Sequence, residues 1–170
     1  MNEPDAHWDE VEEAIEMLTV GERDEATAEL ERLRTTSPDN PLVHTYLGHA
    51  YFEAERFDES LVCYVRALAL APTFVAARVG AGQSLRFLGE HDKALRMARE
   101  ALKVSPNDPD ALYLAGCVAF QRGEKHAATQ YLNRFLETGV EVEVALEVEG
   151  MLRVLRGDVV NAIDEEDESS

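Results

Sequence analysis

Apolar residues recur along this chain at intervals of three and four, and the pattern restarts wherever a glycine or proline interrupts it. Residues 7–20 carry Trp8, Val11, Ala14, Ile15 and Leu18, the spacing of one helical face. Gly21 ends that run, and a second follows through Ala26, Leu30 and Leu33. Ser37-Pro38-Asp39-Asn40-Pro41 then separates this pair from the next. Asn40 is placed to cap exposed amides, and Pro41 falls in the first helical turn, where no donor is needed. Ser105-Pro106-Asn107-Asp108-Pro109 repeats the device. The predicted unit is a helix of about 14 residues, a tight turn, a second helix of similar length and a proline-marked turn. Val140-Glu-Val-Glu-Val144 alternates like a strand, but Ala145, Val148, Leu152 and Leu155 continue at helical spacing. No strands are expected.

The units share a period of 34 residues. Pro41 to Pro72 holds His44, Leu47, Gly48, Tyr51, Ser60, Tyr64 and Ala67. One period on stand Gly82, Leu85, Ala94, Ala98, Ala101 and Pro106, and two periods on Gly116, Ala119, Ala128, Leu132 and Phe135. One period back lie Ala14, Met17, Ala26, Leu30, Leu33 and Pro38, and a last step forward reaches Gly150, Gly157 and Ala162. The turn inside each pair falls at Gly21, Glu55, Gly89 and Gly123. Gly48, Gly82, Gly116 and Gly150 are predicted in mid-helix, where glycine costs about 1 kcal/mol relative to alanine. Their presence implies that a neighbouring helix backbone approaches there, with Ala26, Ser60, Ala94 and Ala128 as the small residues opposite.

In these residues the chain resembles the tetratricopeptide repeat family, whose unit is a helix–turn–helix of this length. The resemblance covers residues 7–163 and implies an all-α, right-handed superhelical solenoid of about four and a half repeats. The repeats fall near 7–40, 41–74, 75–108 and 109–142, with a partial capping repeat at 143–163. Residues 1–6 are expected to be a flexible N-terminus and 164–170 an acidic, disordered tail. Departures are visible. His44, Arg78 and Leu112 occupy a slot where the family often has tryptophan, and Val140 stands where a proline is expected. Glu10 and Glu13 put acids on what should be an internal face of the first helix. Glu141, Glu143, Glu147, Glu149, Arg153 and Arg156 supply the polar outer face that a terminal repeat needs.

In the family, the first helix of each pair lines a concave wall. Carried across position by position, the wall is Leu42, Thr45, Tyr46, His49, Phe52 and Glu53, then Ala76, Val79, Gly80, Gln83, Arg86 and Phe87, then Asp110, Tyr113, Leu114, Cys117, Phe120 and Gln121. The best-known version of this groove holds a peptide's terminal carboxylate with lysines and asparagines. Neither residue stands at the equivalent places here. The expected peptide-binding groove is instead Tyr46, His49, Phe52, Gln83, Arg86, Phe87, Tyr113, Cys117 and Phe120, an aromatic strip with a few hydrogen-bonding groups. Arg86, a lone cation among apolar residues, needs a partner: Glu53 one repeat earlier, or an acidic group on a ligand.

Charge narrows the partners. The net charge is −18, from 34 acids against 16 bases, and lysine occurs only at positions 93, 103 and 125. Such a surface repels phosphates and anionic lipids, so neither nucleic acid nor a membrane is an expected partner. Acid excess with little lysine suggests a salty cytosol, an acidic mesophilic protein being the other reading. Cys63 and Cys117 lack metal spacing, and Met1 to Asp9 lacks the basic and apolar segments of a signal peptide. The expected location is the cytoplasm. His7, His44, His49, His91 and His126 form no metal motif, and no phosphate loop or catalytic constellation is found. No cofactor and no enzymatic activity are expected. The reading is a scaffold or adaptor that binds a protein or peptide in the groove, in a chaperone-like manner. The alternative is a self-assembly module that forms a homo-oligomer through the groove or an end repeat.

Overall fold

The computed structural model of the chain describes residues 8–158. The expected flexible start, His7, Ala162 and the expected acidic tail lie outside the described residues. Nine α-helices occur among the described residues: α1 (Glu12–Val20), α2 (Arg23–Thr36), α3 (Pro41–Glu53), α4 (Phe57–Leu70), α5 (Val75–Phe87), α6 (His91–Val104), α7 (Pro109–Gln121), α8 (Lys125–Leu136) and α9 (Val142–Arg156). They fall into two compact units that part between Pro106 and Asn107.

The first unit holds three helix pairs, each helix packed on its neighbours in sequence from α1 to α6, with α3 also touching α5. The first helix is shorter than the apolar spacing predicts. A single tight turn occupies residues 8–10, and α1 starts only at Glu12. Glu10 and Glu13 are exposed rather than internal, and Glu10 accepts a hydrogen bond from the Asn40 side chain at 3.2 Å. Asn40 also accepts from the Leu42 amide at 2.9 Å, capping α3. Gly21 and Gly89 close their turns with positive φ, and Glu55 does the same at φ 58°. A non-glycine side chain carries a steric cost in that region.

Two of the tryptophan-slot residues, His44 and Arg78, tie a first helix to the turn before it. The His44 Nε2–H donates to the Pro38 carbonyl at 2.7 Å, and burial pushes the imidazole pKa below its ordinary value. Arg78 donates to the Pro72 carbonyl and pairs with Glu100 on α6. The Pro38 and Pro72 turns are thus each anchored by a polar side chain in the slot where the family often has tryptophan.

Tyr64 on α4 is the central packing element. A Cβ at Gly48 on α3 would lie 3.1 Å from its ring, and one at Gly80 on α5 only 2.3 Å from its Cζ. What approaches these glycines is therefore a side chain, not a helix backbone. Beside the ring, Ser60 donates to the Gly48 carbonyl at 2.7 Å and lies 3.0 Å from the Ser84 hydroxyl. All three groups are buried. The tyrosine ring and the serine pair join α3, α4 and α5 over a distance that only glycine leaves open.

The second unit is α7 and α8 with α9 on α8. Asp108 caps α7 by accepting from the Ala111 amide at 2.9 Å. Leu132 takes the Tyr64 role, 2.5 Å from where a Gly116 Cβ would stand, and its backbone nitrogen lies 3.5 Å from that position, so here the expected helix backbone does come close. Gly150 departs from this: a Cβ there would meet nothing within 4 Å. The close approach expected at Gly150 is absent, and α9 buries Val148 and Leu152 on another face. Nor is its outer face wholly polar, because Val142, Leu146 and Val154 are exposed between the acids and arginines.

Candidate functional site

The sequence places six of the nine groove candidates in the first unit, and there the structure brings four together. The C-terminal ends of α3 and α5 carry Phe52 and Phe87, and the N-terminus of α4 carries Phe57. Phe52 meets Phe57 and Phe87 edge-on, both at 5.3 Å between centroids, while Phe57 stacks on Phe87 at 4.8 Å. Phe87 is 52% exposed despite these contacts. The guanidinium of Arg86 lies 4.5 Å over its ring, an attraction between cation and ring face. The Arg86 Nε also donates to Gln83 Oε1 at 3.0 Å.

This corrects the expected partner of Arg86. Glu53 lies 3.7 Å from Arg23 instead, because that acid faces the α1–α2 pair rather than the following repeat. The Arg23–Glu53 pair borders a cleft of about 320 Å³ lined also by Leu18, Asp24, Thr27, His49 and Ala50. His49 is exposed on its rim. Tyr46, half-buried, meets Trp8 edge-on at 6.3 Å, and burial raises its phenol pKa.

The remaining three candidates belong to the second unit. Cys117 is buried and offers no open face. Tyr113 is half-buried, its ring tilted against Phe135 at 5.2 Å and its hydroxyl donating to Glu147 at 3.0 Å. Burial first, then neighbouring Cys117 and Glu147, push its phenol up. Phe120 is half-buried. Other wall positions are closed as well: Leu42, Thr45 and Val79 are buried, and Gly80 faces Tyr64. Among the wall aromatics Phe87 alone is exposed, at the C-terminal end of α5.

Phe57 was not among the predicted site residues. It stands on a second helix, which the wall rule excludes, yet its ring completes the cluster from the turn side. The usable signal was a phenylalanine at the first position of α4, five residues after Phe52. Nucleophilic chemistry has no support from Cys63: burial pushes its thiol up to about 11, the opposite of the thiolate-favouring shift of reactive cysteines. Among the described residues no helix is long and apolar enough to cross a membrane.

Comparison with known proteins places this geometry. Two tetratricopeptide repeat models match, one over residues 41–74 and one over 79–139. A TPR repeat-containing protein of Methanocaldococcus jannaschii is 31% identical over 107 residues, 63% of this chain and 19% of that protein. The chain spans between 11% and 33% of the length of the curated relatives it matches. Among solved structures, MamA MSR-1 is 27% identical with a TM-score of 0.63, covering 73% of this chain and 71% of that one. The first TPR of Spaghetti (RPAP3), bound to the HSP90 peptide SRMEEVD, has a TM-score of 0.62 at 22% identity. It covers 64% of this chain and 86% of that one, a likeness of fold.

Proposed function

The chain belongs to the tetratricopeptide repeat family, and on that premise we propose that it is a non-catalytic scaffold that docks a peptide segment on the Phe52–Phe57–Phe87 cluster. The carrying observation is the Phe87 ring, stacked on Phe57, with the Arg86 guanidinium over it, and the residue still 52% exposed. An aromatic surface that is preordered by two other rings and left half in water suits an apolar side chain of a partner, since such anchors dominate peptide contacts. Arg86 keeps guanidinium donors beyond the one given to Gln83, and five such donors fit a carboxylate. The favoured ligand is therefore a protein segment with an aromatic or branched apolar residue close to an aspartate or glutamate.

A solved relative by fold holds an acidic peptide, SRMEEVD, which supports a peptide as the ligand class without carrying its sequence over. Adaptor and chaperone-like roles both follow from such a surface. The buried, disulfide-free thiols of Cys63 and Cys117 accord with a reducing cytoplasm.

Selection of a displayed random-peptide library on the immobilised protein tests the reading. Enriched peptides should pair an apolar anchor with an acid. Phe87→Ala should weaken their binding at least tenfold while costing stability about 1–2 kcal/mol, from the lost contacts with Phe52 and Phe57, a loss that leaves the chain folded. Arg86→Ala should weaken acidic peptides more than their amide counterparts, and less as salt rises. Peptides that bind both variants as tightly as the parent would move the site elsewhere.

A further inference from the structure

The exposed face of α9 carries a second surface, independent of the aromatic cluster. Val142, Leu146, Gly150 and Val154 stand four residues apart, in one row along the helix. Val142 is 74% exposed, Leu146 56% and Val154 50%. Between them, Gly150 leaves a gap whose Cβ position has no atom within 4 Å. The two glycines in the same register whose surroundings are described are both occupied, Gly48 by Tyr64 and Gly116 by Leu132. Each occupant stands sixteen residues after its glycine.

We propose that this face is a self-association surface, on which α9 packs antiparallel against α9 of a second copy of the chain. A twofold axis near residue 148 sets Leu146 of each copy opposite Gly150 of the other. The leucine then fills the open gap as Leu132 fills that of Gly116. The same axis sets Val142 opposite Val154, so the row is apolar along its length. It also sets Glu143 opposite Arg153, twice by symmetry. This charge arrangement favours the antiparallel orientation, because acids stand at the start of α9 and both its arginines in its last turn. A parallel arrangement would set Glu143 beside Glu143 and Arg153 beside Arg153. Glu147 and Glu149 lie further round the helix, Glu147 holding the Tyr113 hydroxyl. The contact is a single helix pair between copies of net charge −18, so its affinity should be modest and improve as salt screens the overall repulsion.

Sedimentation velocity of the full chain over a concentration series, up to about 200 μM and in about 1 M potassium chloride, tests this. A monomer–dimer equilibrium is expected. Leu146→Glu and Gly150→Leu should each weaken it at least tenfold, the latter with helicity retained, since the gap at Gly150 faces no atom of its own chain. Glu143→Arg or Arg153→Glu alone should weaken dimerisation about tenfold, the pair being lost twice over. The double variant, which restores opposite charges across the axis, should return to within about threefold of the parent. A full chain that stays monomeric, or a dimer indifferent to Gly150→Leu and Leu146→Glu, overturns the proposal. A double charge swap weaker than either single variant overturns the antiparallel register.

Discussion

Replacing Gly80 by alanine tests the packing of this fold most sharply, because two effects of opposite sign meet at one atom. In an exposed helix interior, the change favours folding by roughly 1 kcal/mol. Gly80 lies in the middle of α5, and its new Cβ would stand 2.3 Å from Tyr64 Cζ, 2.4 Å from Cε1 and 2.7 Å from Cε2. Carbon atoms pack comfortably at about 3.5–4 Å, so the ring must move by more than 1 Å. The side toward α3 offers little room, since the Gly48 Cβ position is already 3.1 Å from the same ring. Overpacking of this kind costs about 1–3 kcal/mol. The clash should win, leaving Gly80→Ala less stable by about 1–2 kcal/mol. Urea unfolding followed by far-ultraviolet circular dichroism measures the difference. A second background sharpens it, because in Tyr64→Leu the side chain ends short of all three ring atoms. There Gly80→Ala should be neutral or stabilising, a coupling of about 2 kcal/mol between the two positions. Gly80→Ala that stabilises the parent, or the same effect in both backgrounds, would refute the claim that Tyr64 sets the approach of α5.

Two further outcomes follow from charge. Burial lowers the folded pKa of His44, so below about 6.5 the unfolded chain takes up a proton that the folded one refuses, and stability falls with pH through that window. The urea midpoint of the parent should therefore drop further than that of His44→Gln between about pH 8 and pH 5; equal drops would show that His44 does not contribute. Self-repulsion among 34 acids and 16 bases opposes the compact state and is screened within about 10 Å at 0.1 M salt. The melting temperature should climb from dilute to molar potassium chloride, and a flat curve would remove the argument for a salty cytosol.

The features that local chemistry determines were legible in the sequence. Pro41 with Asn40 and Pro109 with Asp108 announce helix starts because a missing donor and a side-chain acceptor belong only there. The turn positions, Glu55 included, followed from the period alone, although nothing intrinsic to glutamate favours a left-handed backbone. What failed depended on distance in space. A mid-helix glycine shows that something comes close, but not whether it is a backbone, a tyrosine ring or, at Gly150, nothing in the described chain. Counting one repeat back from Arg86 reached Glu53, which turns toward Arg23 instead. The wall rule named first-helix residues and so passed over Phe57, which enters the aromatic cluster from the second helix.

The hydroxyl pair of Ser60 and Ser84 bears on how such an array can change over evolutionary time. Repeat proteins are readily pictured as interchangeable modules, lengthened or shortened by copying a unit. In this chain the position of Ser60 is held by Ala26, Ala94 and Ala128 in the other repeats, and that of Ser84 by Ala50 and Val118. The two serines occur once each and lie 3.0 Å apart in a buried place, Ser60 donating to the Gly48 carbonyl and Ser84 to the Gly80 carbonyl. A copy of repeat 75–108 inserted anywhere but after 41–74 would bring Ser84 against an alanine, losing the contact between the hydroxyls but keeping its bond to the Gly80 carbonyl, a change of about 1 kcal/mol at most. The serine contact therefore favours the present order of these two repeats only weakly, and either unit could be copied alone with its hydroxyl still bonded to a carbonyl of its own repeat.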